Sequence, residues 1–185
     1  MIELAWVVVP GGVCAYGDRA VPRRIPPLAW TVTPVTCGHL SLPPYWRADL
    51  PVVGLDHAEA EAIAAQIGGR LPRSVEWEWM AAGAQQRRYP WGDEEWTADR
   101  ANLRDSGFDR PTPVDAHTAG ATPDGLLDVG GNVWEWTASQ MIGHGAIIRG
   151  GSHHSIPLYA TCRFLNAAPV ELRSPGIGLR VVRPA

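Results

Sequence analysis

Apolar residues recur at helical spacing in only two places along the chain. From Asp56 to about Ile67 the run DHAEAEAIAAQIGG sets Ala60, Ile63, Ala64 and Ile67 at i, i+3, i+4 and i+7, one face of a helix. Asp56 can accept a free amide of the first turn. Glu59, three residues on, completes a capping-box pattern, and Gly68-Gly69 offers a left-handed stop. A second helix is expected from about Ser74 to Ala82, closed by Gly83, with Trp77, Met80 and Ala81 as its apolar stripe. Elsewhere the apolar runs are short. Leu4–Val9, Ala146–Arg149 and Leu179–Val182, flanked by Gly or Pro, read as strands of a small irregular sheet. Residues 84–130 carry turn signals (YPWGDEEW, DSGFDRPTP, AGATPDGLLD) and no period. Such a stretch is functional, metal-stapled or disordered, and its Trp and Leu content argues against disorder.

Composition narrows the class. A chain of 185 residues fits one domain, taken as 1–185, and 45% hydrophobic residues suffice for a core. Net charge −3 and pI about 6.0 give no electrostatic case for nucleic acid or a membrane surface. All 16 basic residues are Arg, to which no mechanism attaches. Gly 20 and Pro 17 predict many turns, and nine Trp can fill a core that regular elements fill poorly. Trp77, Trp79, Trp91, Trp134 and Trp136 are read that way, as core and turn packing. Cys14, Cys37 and Cys162 are odd in number and lack metal or disulfide spacing. The apolar N-terminal run is too short for a signal peptide, and no stretch reaches the roughly 18 apolar residues of a membrane span. The expectation is a soluble, reduced, cytoplasmic protein.

Five motifs occur in order: GGRLPRSVEWEWMAAG (68–83), YPWGD (89–93), GLLDVGGNVWEWTAS (125–139), IRGGS (148–152) and GIGLRVV (176–182), after an opening VPGGVCAYG (9–17). Together they resemble the formylglycine-generating-enzyme, or sulfatase-modifying-factor, family along essentially the whole chain. The resemblance implies an α+β, irregular C-type-lectin-like fold with about two helices and short antiparallel strands.

GLLDVGGNVWEW also has a reading of its own. Asp128 and Glu135 supply hard carboxylate oxygens, and the glycines between them let carbonyls turn inward, a donor set that Ca2+ accepts. The resemblance places a structural calcium on the Asp128 and Glu135 side chains and the Gly131 and Val133 carbonyls. The competing reading has the two carboxylates capping turns or pairing with Arg. A second family calcium site would fall on Asn102 and the Leu103 and Phe108 carbonyls, with Ser106 in place of its acidic ligand and Asp105 adjacent.

In formylglycine-generating enzymes the segment RGGSxxCHxSYC carries two cysteines that bind copper(I), a soft ion suited to thiolates. Here it reads RGGSHHSIPLYATCRF, which puts Ser155 and Ala160 at those positions and Cys162 two residues beyond. Sulfatase-type activity on a Cys-x-Pro-x-Arg peptide is therefore not expected. The stretch between WTAS and RGGS and the loop after PVT (34–36) are also short for the family's substrate face. His153, His154, Ser155 and Cys162 are the candidate catalytic residues, with His144 and His39 as possible companions for copper or iron. Against this, adjacent residues on an extended strand point to opposite faces, so one His would line the surface while the other is hydrogen-bonded inside. Cys162 would then be an inert buried thiol. Cys14 is read as packing, and Cys37 has no assigned role. The family's sulfoxide synthases hold iron through an HxxxHxE motif on a helical domain, and that motif is missing here, although a separate partner could pair with the chain.

Two functions follow from these residues and the resemblance. One is a metal- and O2-dependent oxidase acting on a small molecule or peptide held in a surface cleft. The other is a non-catalytic, calcium-stabilised scaffold that binds a partner protein or displays a ligand-binding segment, His153–Pro169.

Overall fold

The computed structural model describes residues 3–43 and 47–185. Its strands are β1 (Trp6–Val9), β2 (Gly12–Tyr16), β3 (Val21–Ile25), β4 (Leu28–Thr31), β5 (Trp134–Met141), β6 (Gly145–Arg149), β7 (Leu165–Ala168), β8 (Ile177–Gly178) and β9 (Val182–Pro184), with helices α1 (His57–Gln66) and α2 (Ser74–Ala82). Among the described residues the strands form three sheets, ordered β1-β4-β9, β2-β3 and β7-β6-β5-β8. The pairings are antiparallel except for β5 with β8, which is parallel over Trp134↔Ile177 and Glu135↔Gly178. This is the expected α+β class.

Both helices form where their periodicity predicts. Asp56 accepts from the Glu59 amide (2.9 Å) and Glu59 reaches back to the Asp56 amide (3.1 Å), so the capping box closes. Ala60 and Ala64 are buried, while Ile63 and Ile67 pack on the edge of the same cluster. α2 is buried on nearly every face, from Glu76 through Ala82, which marks it as a core helix. It packs against β2, β3, β5 and β6.

The expected strand 179–182 is replaced by two shorter pieces, β8 and β9. Between them Arg180 turns its side chain into the core. Around it Val35 N–H donates to Leu179 O (2.9 Å), and Thr31 N–H, at the end of β4, to Val181 O (3.0 Å). The stretch 84–130 holds one short 3-10 turn, Thr118–Gly120, and otherwise no regular element.

The core contains two ion pairs that face no water. Glu78 Oε2 accepts from Arg149 Nη2 (2.6 Å), and Glu135 Oε1 accepts from Arg180 Nε (3.0 Å), all four side chains being at most 1% exposed. Trp77 joins them. Its indole N–H donates to Glu135 Oε2 (2.7 Å), and its ring lies under the Arg149 guanidinium (5.0 Å to the centroid). Arg180 further donates to the carbonyls of Thr31, Val32 and Leu127, and Arg149 to those of Cys162, Arg163 and Phe164. Removing one partner strands a buried charge, at about 3–5 kcal/mol. Arg180→Met and Glu78→Gln are thus each expected to lower unfolding free energy by that order in urea titrations. Asp49→Asn, which breaks the exposed Arg47–Asp49 pair, should leave the midpoint in place.

Candidate functional site

β6 ends at Arg149, and Gly150 and Gly151 then take φ of 96° and 79°. A Cβ at Gly150 would stand 2.7 Å from the Val129 carbonyl oxygen, so only glycine lets the chain pass this close. The chain then tightens into a turn over Ser152–Ser155. The Ser155 amide donates to Ser152 O (2.8 Å), and the Ser152 amide to Ser155 Oγ (2.9 Å).

This turn corrects the extended geometry assumed for the two histidines. Their rings lie side by side, 4.1 Å between centroids, instead of on opposite faces. The division of roles nonetheless holds: His153 is buried and His154 exposed. His153 Nδ1 lies 3.0 Å from the carbonyl oxygen of Asn132, which can only accept, so Nδ1 carries the proton and Nε2 is left with its lone pair. Burial, with a smaller contribution from His154, holds the His153 pKa below its ordinary value.

The carbonyl that fixes His153 belongs to the hub of a buried polar network. Asn132, in the left-handed region at φ 62°, accepts at Oδ1 from the Thr112 amide (2.9 Å) and Asn102 Nδ2 (3.2 Å). Its Nδ2 donates to Asp128 Oδ2 (2.8 Å) and Thr112 O (3.1 Å). Its amide donates to Asn102 O (2.8 Å). His117 extends the network through Thr112 Oγ1 (3.2 Å) and Ala98 O (3.1 Å). Asn132, Thr112 and His117 were not picked out from the sequence. The available signal was an Asn behind two glycines, a residue type that tolerates the left-handed conformation.

The two calcium candidates differ in their surroundings. Asp128 is buried, and burial pushes its carboxyl up to about 7, opposed by the Asn132 hydrogen bond. None of its hydrogen bonds comes from a cationic group. Glu135, by contrast, is engaged at both oxygens by Trp77 and Arg180. At the second candidate, Asn102 Oδ1 accepts from Ser106 Oγ (2.8 Å) and Leu103 O from the Ser106 amide (3.0 Å). Phe108 is half exposed, edge-on to His117. Hard-oxygen donors therefore remain around Asp128, whereas Glu135 would have to be shared with Arg180.

Cys162 sits elsewhere, in the apolar cluster with Cys14, Trp77, Leu126 and Val129. Its amide donates to Arg88 O (2.8 Å) and its charged neighbours are Arg87, Arg149 and Glu78, not the histidines. His39 Nδ1 accepts from the Thr36 amide (3.0 Å), and His144 lies exposed at the β5–β6 turn. Among the described residues no three His, Cys, Asp or Glu side chains converge as a metal site. Cys37 gains a structural account: its amide bonds to Leu50 O (3.0 Å) and its thiol packs over Pro51 O beside the Thr36↔Pro51 bridge. Burial pushes the Cys162 thiol up to about 12 and Cys14 to about 11. With Cys37 buried as well, Ellman's reagent at pH 8 should find no fast-reacting thiol in the native protein and three in guanidinium. A fast native phase lost in Cys162→Ala would contradict this placement.

Comparison with known proteins places this geometry. The profile of the sulfatase-modifying factor enzyme 1-like domain matches residues 43–185. A hercynine oxygenase of Mycobacterium tuberculosis is 43% identical over 122 residues, which is 55% of this chain and 28% of that protein. A formylglycine-generating enzyme of the same organism is 36% identical over 138 residues, 68% of this chain and 42% of that one. The match thus spans less than half of these relatives. In fold, the chain is similar to PvdO from Pseudomonas aeruginosa (TM-score 0.79, 20% identity, 97% of this chain and 94% of that one). It is likewise similar to Treponema denticola variable protein 1 (TM-score 0.82, 16% identity, 100% and 96%).

Proposed function

The chain belongs to the sulfatase-modifying factor enzyme 1-like family, and on that premise we propose that it serves in an oxidase acting on a small molecule. The observation that carries this reading is the kinship with hercynine oxygenase combined with the state of His153. That imidazole is held by a backbone carbonyl with Nε2 unprotonated, ready to accept a proton or a hydrogen bond. Exposed His154 beside it gives the same turn a solvent-facing edge. A peptide thiol substrate of the sulfatase type is disfavoured by Ser155 and Ala160 at the cysteine positions.

A redox metal would supply activation of O2 in such an oxidase. Since no three-donor group converges among the described residues, the thiol or the substrate itself would complete the coordination of the metal. This chain's own part is to bind and orient substrate at Ser152–Ser155, and to keep a neutral base there through the Asn132 network. Cys162 takes no role in this reading. Oxygen-electrode measurements with Fe(II) or Cu(I), a thiol and hercynine-type small molecules test it. The expected result is uptake coupled to substrate loss, falling about tenfold or more in His153→Ala at unchanged thermal midpoint. Uptake no greater than metal alone, with every substrate tried, would overturn the reading.

A second reading is a non-catalytic binding domain, in keeping with the likeness in fold to Treponema denticola variable protein 1. Both readings share a structural calcium at Asp128, with the Gly131 and Val133 carbonyls and a shared Glu135. Excess EGTA should then lower the melting midpoint, and Asp128→Asn should abolish that response, because a ligand that binds only the folded state stabilises it. An EGTA-insensitive midpoint removes calcium from both readings.

A further inference from the structure

Away from the histidine turn, five residues enclose a hollow of about 390 Å3: Gln86, Arg87, Arg88, Thr161 and Arg163. Thr161 and Arg163 are also the wall of a second hollow of about 400 Å3, whose other side is formed by Leu158, Phe164, Leu165, Gly17 and Asp18. The two adjoin across Thr161 and Arg163 as a trough, cationic at one end and, apart from Asp18, without a charge at the other.

The charges at the cationic end are unequally compensated. Arg88 is paired with Glu95 (2.6 Å). Arg87 and Arg163 have no ion pair among the described residues. Their hydrogen-bond acceptors are neutral. Arg87 donates to Ala81 O (2.9 Å), across the C-terminal turn of α2, and to Gln85 Oε1 (3.1 Å); Arg163 donates to Gln86 Oε1. Gly83 leaves room for the Arg87 guanidinium, since a Cβ there would come within 2.7 Å of Nη1. Two fixed guanidiniums over one hollow, in a chain of net charge −3, are a local reversal of sign. A planar guanidinium matches a carboxylate or phosphate in two-pronged geometry. At the far end Leu158 is 54% exposed and offers apolar surface beside the hollow.

We infer that this trough binds a small organic carboxylate, its head between Arg163 and Arg87 and its apolar body over Leu158 and Phe164. The inference does not depend on the oxidase reading, because binding is measured without turnover. Titration calorimetry on the whole chain would use phenylacetate, acetate, 2-phenylethanol and inorganic phosphate as probes. Phenylacetate should bind saturably and more tightly than acetate, which lacks the body, and than 2-phenylethanol, which lacks the charge. Arg163→Gln should weaken phenylacetate by about tenfold, the size of one lost charged hydrogen bond. Leu158→Ala should weaken phenylacetate and leave acetate as it was. Thermal melts of both variants check the fold, and Leu158, being exposed, keeps the test informative if Arg163→Gln is unstable. Phosphate binding as tight as phenylacetate, equal affinity in either variant, or no saturable binding would each overturn the inference.

Discussion

The fold depends on one chain of buried charge: Arg149 over the Trp77 ring, the Trp77 N–H on Glu135, and Glu135 against Arg180, with Glu78 neutralising Arg149 from the next residue of α2. Its five members come from α2, β5, β6 and the segment between β8 and β9, so it ties elements far apart in sequence to one another. In a loop-rich chain the arginines also do what ladders do elsewhere, since each satisfies three carbonyls of irregular backbone. Buried ions of this kind are costly to assemble and costlier to break. They specify one arrangement of loops that hydrophobic burial alone would leave poorly defined.

The same constraint positions the candidate site. Glu135 opens β5, and the turn that precedes it, Asp128–Asn132, carries both the buried Asp128 and the carbonyl that fixes His153. Arg149 closes β6, directly before the two glycines that lead into Ser152–Ser155. The histidine turn is thus suspended between two strands whose ends are anchored by ion pairs. His153 and Ser155 therefore keep their places in the turn through bonds to residues at both strand ends.

Helices were the most legible part of the sequence, because their signals are local. The Asp56–Glu59 box and Gly83 mark both helix limits within a residue. Strands β2, β3, β4, β5 and β7 lie outside the expected ones: VPRRI carries three polar or Pro positions in five, and LAWT is too short for a period, so pairing is what reveals them. The motifs located the site region, yet its geometry was misjudged at the histidines. Whether residues 153 and 154 are extended or turned is decided by Ser155 bonding back to Ser152 and by Asn132 twenty-one residues upstream. The same holds for Glu135, whose competing Arg partner lies forty-five residues away. Long-range partners leave no spacing to read.

The place of Arg180 in the chain also has a kinetic consequence. β4 pairs with β9, and the guanidinium that closes the carbonyls of Thr31 and Val32 arrives roughly a hundred and fifty residues after them. During synthesis the earlier elements can form locally, but Glu135 has no counter-ion and β4 no second neighbour until this late segment emerges. Without that segment β4 keeps an open edge, so Arg180 and β9 act together as a latch between distant parts of the described chain.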